Sequence, residues 1–313
     1  GVSVGICMYP SHAGNAQDLL QGAHAAVYGA KSRSGRAWCF FEEDMTSAAR
    51  ERLAMEARLR QAIDLGHLRL YFQPQIDLAT GRLVGAEALV RWLDPDEGLI
   101  SPARFIPVAE SSGVIGALGL WVLREACAQG RRWRDQGLPE MTIAVNVSLH
   151  QFLLTDIAGA TADALAATGF APHCLELEIT ESALAERPEE ALAVMRRLRA
   201  QGLRLAIDDF GTGYSSLAHL KRFPLDLLKI DQGFIRDIPH SADDMAISGS
   251  VIALGHAMGL MVLAEGVETA EQLAFLRGKG CDFFQGYLCS KPLPAQAFGE
   301  WVSDNQGMWA VQG

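Results

Sequence analysis

Leu203-Arg204-Leu205-Ala206-Ile207-Asp208-Asp209-Phe210-Gly211-Thr212-Gly213 is an apolar run that closes on two adjacent aspartates and opens into a glycine-rich turn. On a strand, residues of equal parity share a face, so Arg204, Ala206 and Asp208 point one way and Leu205 and Ile207 the other. Neighbouring carboxylates repel, and burial makes them costly to ionise, so the pair needs cations, hydrogen bonds or open water. Asp and Gly are also ordinary turn residues, so the surroundings decide the matter.

The same order, a short apolar run with a polar residue at its end, recurs along the chain. It is found at residues 67–72 before Gln73, 83–86 before Glu87, 141–145 before Asn146 and 174–177 before Glu178. It returns at 203–207 before Asp208, 225–228 before Lys229, 260–264 before Glu265 and 280–284 before Gln285. Helical spacing lies between several of these runs, at 117–136, 156–168, 188–201 and 242–258. Eight strands alternating with helices predict an α/β fold, a (β/α)8 TIM-like barrel whose functional residues gather at the carboxyl ends of its strands. One connection differs. Only residues 76–82, with Thr80-Gly81 as the turn, separate the first two strands, too short for a helical crossover, so the first strand is expected to be antiparallel to the second.

The 313 residues exceed the roughly 250 of such a barrel, and the remainder lies in front of it. Residues 2–8 are strand-like, 15–31 have helical spacing and 37–41 form a second short apolar run. Residues 42–65 alternate charges with Met45, Leu53, Leu59 and Ile63, the pattern of a polar-rich linker helix. The expected organisation is a short α/β fragment at 1–41, a linker helix at 42–66, the barrel at 67–304 and a tail at 305–313.

An apolar content of 49% with 20% charged residues is that of a globular protein with ample core. No apolar run is long enough to span a bilayer, and the chain reads as cytoplasmic, alone or as the cytoplasmic part of a larger, membrane-anchored protein. The formal charge of −10 argues against DNA as a partner. Six scattered cysteines lack the close spacing of a zinc site, so they are read as reduced thiols.

Parity brings the strand ends together. Thr142, Ala144 and Asn146 share the inward face of the third strand, and Glu176 and Glu178 that of the fourth, with Glu176 deeper and Arg204 its expected partner. The rim then gathers Glu87, Asn146, Glu178, Asp208 and Asp209. These are oxygen donors without thiol or imidazole, the set that Mg²⁺ or Mn²⁺ prefers. Two ions about 3.5–4 Å apart suit hydrolysis of a phosphate ester, and Lys229, on the sixth strand with Asp231, brings a cation beside them. Asp208 is expected to point inward, and Asp209 to turn aside and serve the second ion.

The sequence also carries a series of motifs. Glu87-Ala88-Leu89-Val90-Arg91-Trp92, Tyr71-Phe72-Gln73-Pro74, Phe105-Ile106-Pro107, Asn146-Val147-Ser148 and Glu178-Ile179-Thr180-Glu181 are followed in order by the paired aspartates. Lys229-Ile230-Asp231, Ala264-Glu265-Gly266-Val267-Glu268 and Gln285-Gly286-Tyr287 complete the series. From about residue 67 to 301 the chain resembles the EAL-domain cyclic di-GMP phosphodiesterase family. The resemblance implies hydrolysis of cyclic di-GMP to linear pGpG by two Mg²⁺ or Mn²⁺ ions, with Ca²⁺ inhibitory. It implies that Glu87, Asn146, Glu178, Asp208 and Asp209 hold the ions, with Asp208 bridging, and that Lys229 and Glu265 position and activate the water. Gln73, Leu89, Arg91, Asp231 and Gln285 would contact the substrate, and Glu181 would brace the loop 210–216, which reaches toward a homodimer interface. Ser111 stands where the family commonly has an acidic residue.

The first forty residues are similar to the carboxyl end of a GGDEF domain, through Tyr28-Gly29-Ala30-Lys31 and Gly35-Arg36, with His24 in place of the usual aspartate. That similarity implies further GGDEF and sensory domains upstream. A different class of function, a cyclic di-GMP receptor or signalling scaffold without turnover, would use the same fold. Such receptors lose rim ligands or the turn after the paired aspartates, and here all are intact.

Overall fold

A computed structural model describes residues 2–32, 38–211, 217–305 and 308–309. Gly35-Arg36, residues 212–216 of the loop after the paired aspartates and most of the expected tail lie outside the described residues. The chain divides into two compact units, Gly1–Leu65 with Ala103–Val114, and Gly66–Pro102 with Ile115–Gly313.

In the first unit, β1 (Val4–Ile6) pairs in parallel with β2 (Trp38–Phe40), and α1 (Ala16–Ser32) connects them. Ala25, Ala26, Ala30, Cys39, Phe41 and Met45 form its small core. Gly5 lets helix and strand approach closely, since a Cβ there would lie 2.1 Å from the Ala23 carbonyl oxygen. α2 (Glu43–Asp64) is the polar-rich helix read from the sequence, with only a narrow apolar seam that includes Met55, Leu59 and Ala62. α3 (Pro102–Ser112) buries Phe105 and Ala109.

The second unit is the barrel. β3 (Leu68–Asp77) and β4 (Leu83–Asp94) are antiparallel, as the short connection requires, with Gln73 opposite Glu87 and Tyr71 opposite Leu89. β5 (Gly98–Ile100) folds back on β4. Parallel strands follow: β6 (Thr142–Val147), β7 (Leu175–Thr180), β8 (Arg204–Phe210), β9 (Leu227–Ile230), β10 (Met261–Ala264) and β11 (Phe283–Phe284). Pairing runs β3-β11-β10-β9-β8-β7-β6-β4 and returns to β3, closing eight strands, and β12 (Leu293–Pro294) pairs antiparallel with β3 at Tyr71 and Phe72. The outer layer comprises α4 (Ile115–Asp135), α5 (Leu149–Leu154), α6 (Ile157–Thr168), α7 (Glu181–Glu186), α8 (Pro188–Ala200) and α9 (Leu217–Leu220). α10 (Ala242–Ala257), α11 (Ala270–Gly278) and α12 (Ala295–Asp304) complete it. Among the described residues no helix is long and apolar enough to cross a membrane.

Inside the barrel, Ala206, Leu227, Leu263 and Phe283 pack as an apolar layer. Two residues further along each of those strands stand Asp208, Lys229, Glu265 and Gln285. Strand parity therefore sets a polar rim directly upon a dry floor. Glu176, lower on β7, is buried and lies 3.3 Å from Arg204 Nε, the expected ion pair.

Candidate functional site

Each rim residue is held by the element that ends or begins beside it. β6 delivers Asn146 and then stops, because Ser148 caps α5 in a reciprocal box with Gln151. β7 delivers Glu178, and Glu181, the first residue of α7, turns back to accept the Gly211 N–H at 2.9 Å. Asp231 follows β9 and caps the next turn by accepting the Gly233 N–H at 2.8 Å.

The paired aspartates lie in an irregularity of β8. Its register with β9 slips between Ile207 and Phe210, and Asp209 takes a positive φ of 55°. Such a bulge re-aims side chains, and aspartate tolerates the left-handed conformation better than most residues. Two neighbours that would face opposite ways on a regular strand are thus turned to one site. Carboxylate oxygens of Asp208, Asp209 and Glu265 lie within 4.8 Å of one another. Glu265, expected from the resemblance to activate water, accordingly stands among candidate ligands.

Lys229, 0% exposed, is the centre of this rim. Its Nζ lies 2.6 Å from Glu265 Oε1, 2.8 Å from Glu178 Oε2 and 3.2 Å from Asp208 Oδ1. Burial alone would lower the pKa of this ammonium, but Asp208, Glu178, Glu265 and Glu87 more than offset it and raise it well above the ordinary value. Glu178 is raised well above the usual carboxylate range, first by burial and then by Glu87, Asp208 and Glu265, against the pull of Lys229. Burial, Asp208 and Asp231 push Asp209 up to about 6. Glu265 is pushed up to about 8, by burial above all and then by Asp208 and Glu87 against Lys229. Four carboxylates share one ammonium, and the buried Glu178 Oε1 has no hydrogen-bond partner. An unsatisfied buried carboxylate oxygen in an acidic, sulfur-free ring is what a hard cation fits.

Glu87 is gripped on both oxygens: Asn146 Nδ2 donates to Oε1 at 2.6 Å and Gln285 Nε2 to Oε2 at 2.5 Å. Because the Asn146 amide faces a carboxylate with its NH₂, its carbonyl oxygen is left to serve a cation. Leu89 and Arg91 continue the face of Glu87 along β4, and the Arg91 guanidinium sits 5.6 Å from the ring centre of Tyr71. Tyr71 was not singled out for the site from the sequence, nor was Gln75, whose Nε2 donates to Gln285 Oε1 at 3.2 Å. The register of the hairpin is the signal that could have found both. Asp231, which the resemblance places in support of Lys229, also bears on Asp209, whose carboxyl it helps to raise. At the start of β6 and β7, Glu140, His173 and Cys174 also come together, but Glu140 is engaged in ion pairs with Arg134 at 2.9 Å and His173 at 3.2 Å.

Comparison with known proteins gives this constellation a family. The model of the EAL domain matches residues 56–292.

The chain belongs to the EAL domain family.

Over 294 residues it is 43% identical to the bifunctional diguanylate cyclase/cyclic di-GMP phosphodiesterase MucR of Pseudomonas aeruginosa, covering 94% of this chain and 43% of the relative. Over 299 residues it is 39% identical to the cyclic di-GMP phosphodiesterase PdeR of Escherichia coli, covering 96% and 45%. The chain thus spans less than half the length of these curated relatives. Among solved structures, the PaMucR phosphodiesterase in complex with c-di-GMP matches with a TM-score of 0.76 at 43% identity, over 78% of this chain and 99% of that one. The EAL fold is therefore that of the barrel described above.

Proposed function

We propose that this EAL chain is a metal-dependent phosphodiesterase that opens one ester of cyclic di-GMP to give linear pGpG. The observation that carries the reading is the convergence of Glu178, Asp208 and Glu265 on Lys229, with Glu178 Oε1 buried and unsatisfied. The similarity to proteins named cyclic di-GMP phosphodiesterases supports the substrate.

Glu87, Asn146, Glu178 and Asp208 would hold one Mg²⁺ or Mn²⁺, and Asp208, Asp209 and Glu265 the other, with Asp208 shared. Ions so held supply Lewis acidity toward the phosphate and a water acidic enough to attack it. The protein's own part is positioning and charge. Lys229 draws Glu178 and Glu265 toward the ionised form against the effect of burial, and presents N–H groups where negative charge grows. Glu265 is given a ligand's role in place of the water-activating one, supported by its proximity to Asp208 and Asp209. Leu89, Arg91, Tyr71, Gln73 and Gln285 form the platform beside the ions, where Arg91 can pair with phosphate or a guanine edge. Reading residues 1–41 as the end of a GGDEF domain is supported by the match to MucR, which extends beyond the EAL match.

The test is incubation with cyclic di-GMP and Mn²⁺ or Mg²⁺, with separation of the products and Glu87→Ala as the control. Linear pGpG is expected from the parent and not from the variant. Tight binding of cyclic di-GMP without any linear product would replace this reading with that of a receptor.

A further inference from the structure

We infer that Gln75 is a positioning residue of the rim: its amide sets the orientation of Gln285, and through Gln285 it fixes Glu87 and Gln73 for cation and substrate. The inference deepens the phosphodiesterase reading and rests on its cation site, while the calorimetric part of its test does not depend on turnover.

β3 runs against the parallel strands, so advancing along it leads down into the barrel. Gln73 stands at rim level opposite Glu87, and Gln75 one layer below, opposite Gly85. Gln75 is 3% exposed. A chain of amides begins there. Gln75 Nε2 donates to Gln285 Oε1 at 3.2 Å, Gln285 Nε2 donates to Gln73 Oε1 at 3.0 Å and Glu87 Oε2 at 2.5 Å, and Gln73 Nε2 donates to the Ser290 carbonyl at 3.1 Å.

The direction of the chain is chemically determined. An ionised carboxylate and a backbone carbonyl can only accept, so Gln285 and Gln73 must each turn their NH₂ toward those ends. That leaves Gln285 Oε1 facing inward, where only a donor satisfies it. If Gln285 flipped, its carbonyl would face Glu87 and Gln73 Oε1 and its NH₂ would face the NH₂ of Gln75, breaking three buried contacts together. Space for Gln75 comes from its cross-strand partner. A Cβ at Gly85 would lie 2.7 Å from Gln75 Oε1 and 2.9 Å from the Thr142 carbonyl oxygen. A residue that merely filled this space could be apolar; the donor is needed only if Gln285 has to be oriented.

The test compares Gln75→Met, which keeps the volume and removes the donor, with Gln75→Glu, which offers an acceptor and draws the Gln285 NH₂ away from Glu87. Mn²⁺ binding is measured by calorimetry without substrate, and KM and kcat by product formation. Thermal melts check that each variant is folded. Gln75→Met is expected to weaken Mn²⁺ binding by about 10-fold, within the range for groups that support a metal ligand, and to raise KM. Gln75→Glu is expected to weaken binding further. In a Gln285→Met background, either change should alter Mn²⁺ affinity by less than about twofold, since a residue acting through Gln285 has nothing left to act through. Should Gln75→Glu fail to fold, Gln75→Met and its combination with Gln285→Met carry the test. Mn²⁺ affinity and KM within twofold of the parent in Gln75→Met would overturn the inference, as would an undiminished effect in the Gln285→Met background. Weakened calorimetric binding in a protein that makes no pGpG would support the role of Gln75 while removing the phosphodiesterase reading.

Discussion

Lys229 Nζ lies 2.8 Å from Glu178 Oε2, with both side chains fully enclosed, while the second oxygen of that carboxylate has no hydrogen-bond partner. Breaking a buried ion pair from one side leaves an uncompensated charge and destabilises by about 3–5 kcal/mol. Lys229→Met is therefore expected to lose roughly that much in metal-free urea unfolding, and less when Mg²⁺ is present to neutralise the carboxylates. Turnover should fall at least about 100-fold, the scale for removing one preorganised electrostatic donor. Equal destabilisation with and without Mg²⁺ would separate the lysine from the cation site.

In the proposed site the two aspartates of the bulge have unequal roles. Asp208→Asn should remove high-affinity binding of both ions if, as proposed, its carboxylate is common to both ligand groups. Asp209→Asn should retain one ion per chain and tolerate the positive φ of 55°. Calorimetric stoichiometry with Mn²⁺ distinguishes them, and identical stoichiometry in the two variants would count against a shared Asp208.

Asp209 at about 6 and Glu265 at about 8 make the site proton-linked. Both stand above ordinary carboxylate values, so the metal-free native state keeps protons that the unfolded chain has released. Their contribution to stability is complete below about pH 4 and is lost as pH rises through 6 and then 8. Cations compete with those protons, so Mg²⁺ affinity should rise over the same window. In thermal melts with chelator at pH 5, 7 and 8.5, Tm should decline with pH from this source. The gain on adding Mg²⁺ should widen from pH 6 to 8.5, and a constant or shrinking gain would contradict the linkage.

Calcium offers the same charge with a larger, looser coordination shell. It is expected to bind, seen as a raised Tm, and to support no detectable formation of pGpG. Efficient turnover with Ca²⁺ as the only divalent ion would show that tight ligand geometry is not what the rim provides.

Gly286 holds Gln285 in place through backbone contact. A Cβ at this position would lie 2.0 Å from the Val267 carbonyl oxygen and 2.3 Å from its nitrogen. Gly286→Ala must displace one of the two segments, and overpacking of this kind costs about 1–3 kcal/mol. Chemical denaturation measures that loss, and Mn²⁺ affinity should fall with it because Gln285 moves away from Glu87.

The barrel was legible because its strands end in polar residues at regular intervals and because seven residues cannot form a crossover. Parity alone predicted the Glu176–Arg204 pair, found at 3.3 Å. What the sequence could not disclose is where periodicity fails. Both aspartates were expected at the rim, but nothing in Ile207-Asp208-Asp209-Phe210 announces a slipped register, so the bulge that turns them to one site and the approach of Glu265 appear only in three dimensions. Gln75 was hidden for a related reason: its partner is Gln285, 210 positions away, and its space comes from the missing side chain of Gly85. The contact of Trp309, beyond the last helix, whose backbone N–H bonds the Gly81 carbonyl at 2.7 Å, was equally beyond local reading.

The reversal of β3 has a mechanical consequence. In a barrel whose strands all run one way, the polypeptide would arrive at the closed end, remote from the chemistry. Here Leu68 enters at the open end, and Tyr71 and Gln73 follow on the same strand with no helix between. Tension or torsion applied just ahead of Leu68 would reach Gln73, paired opposite Glu87, along a single hydrogen-bonded ribbon.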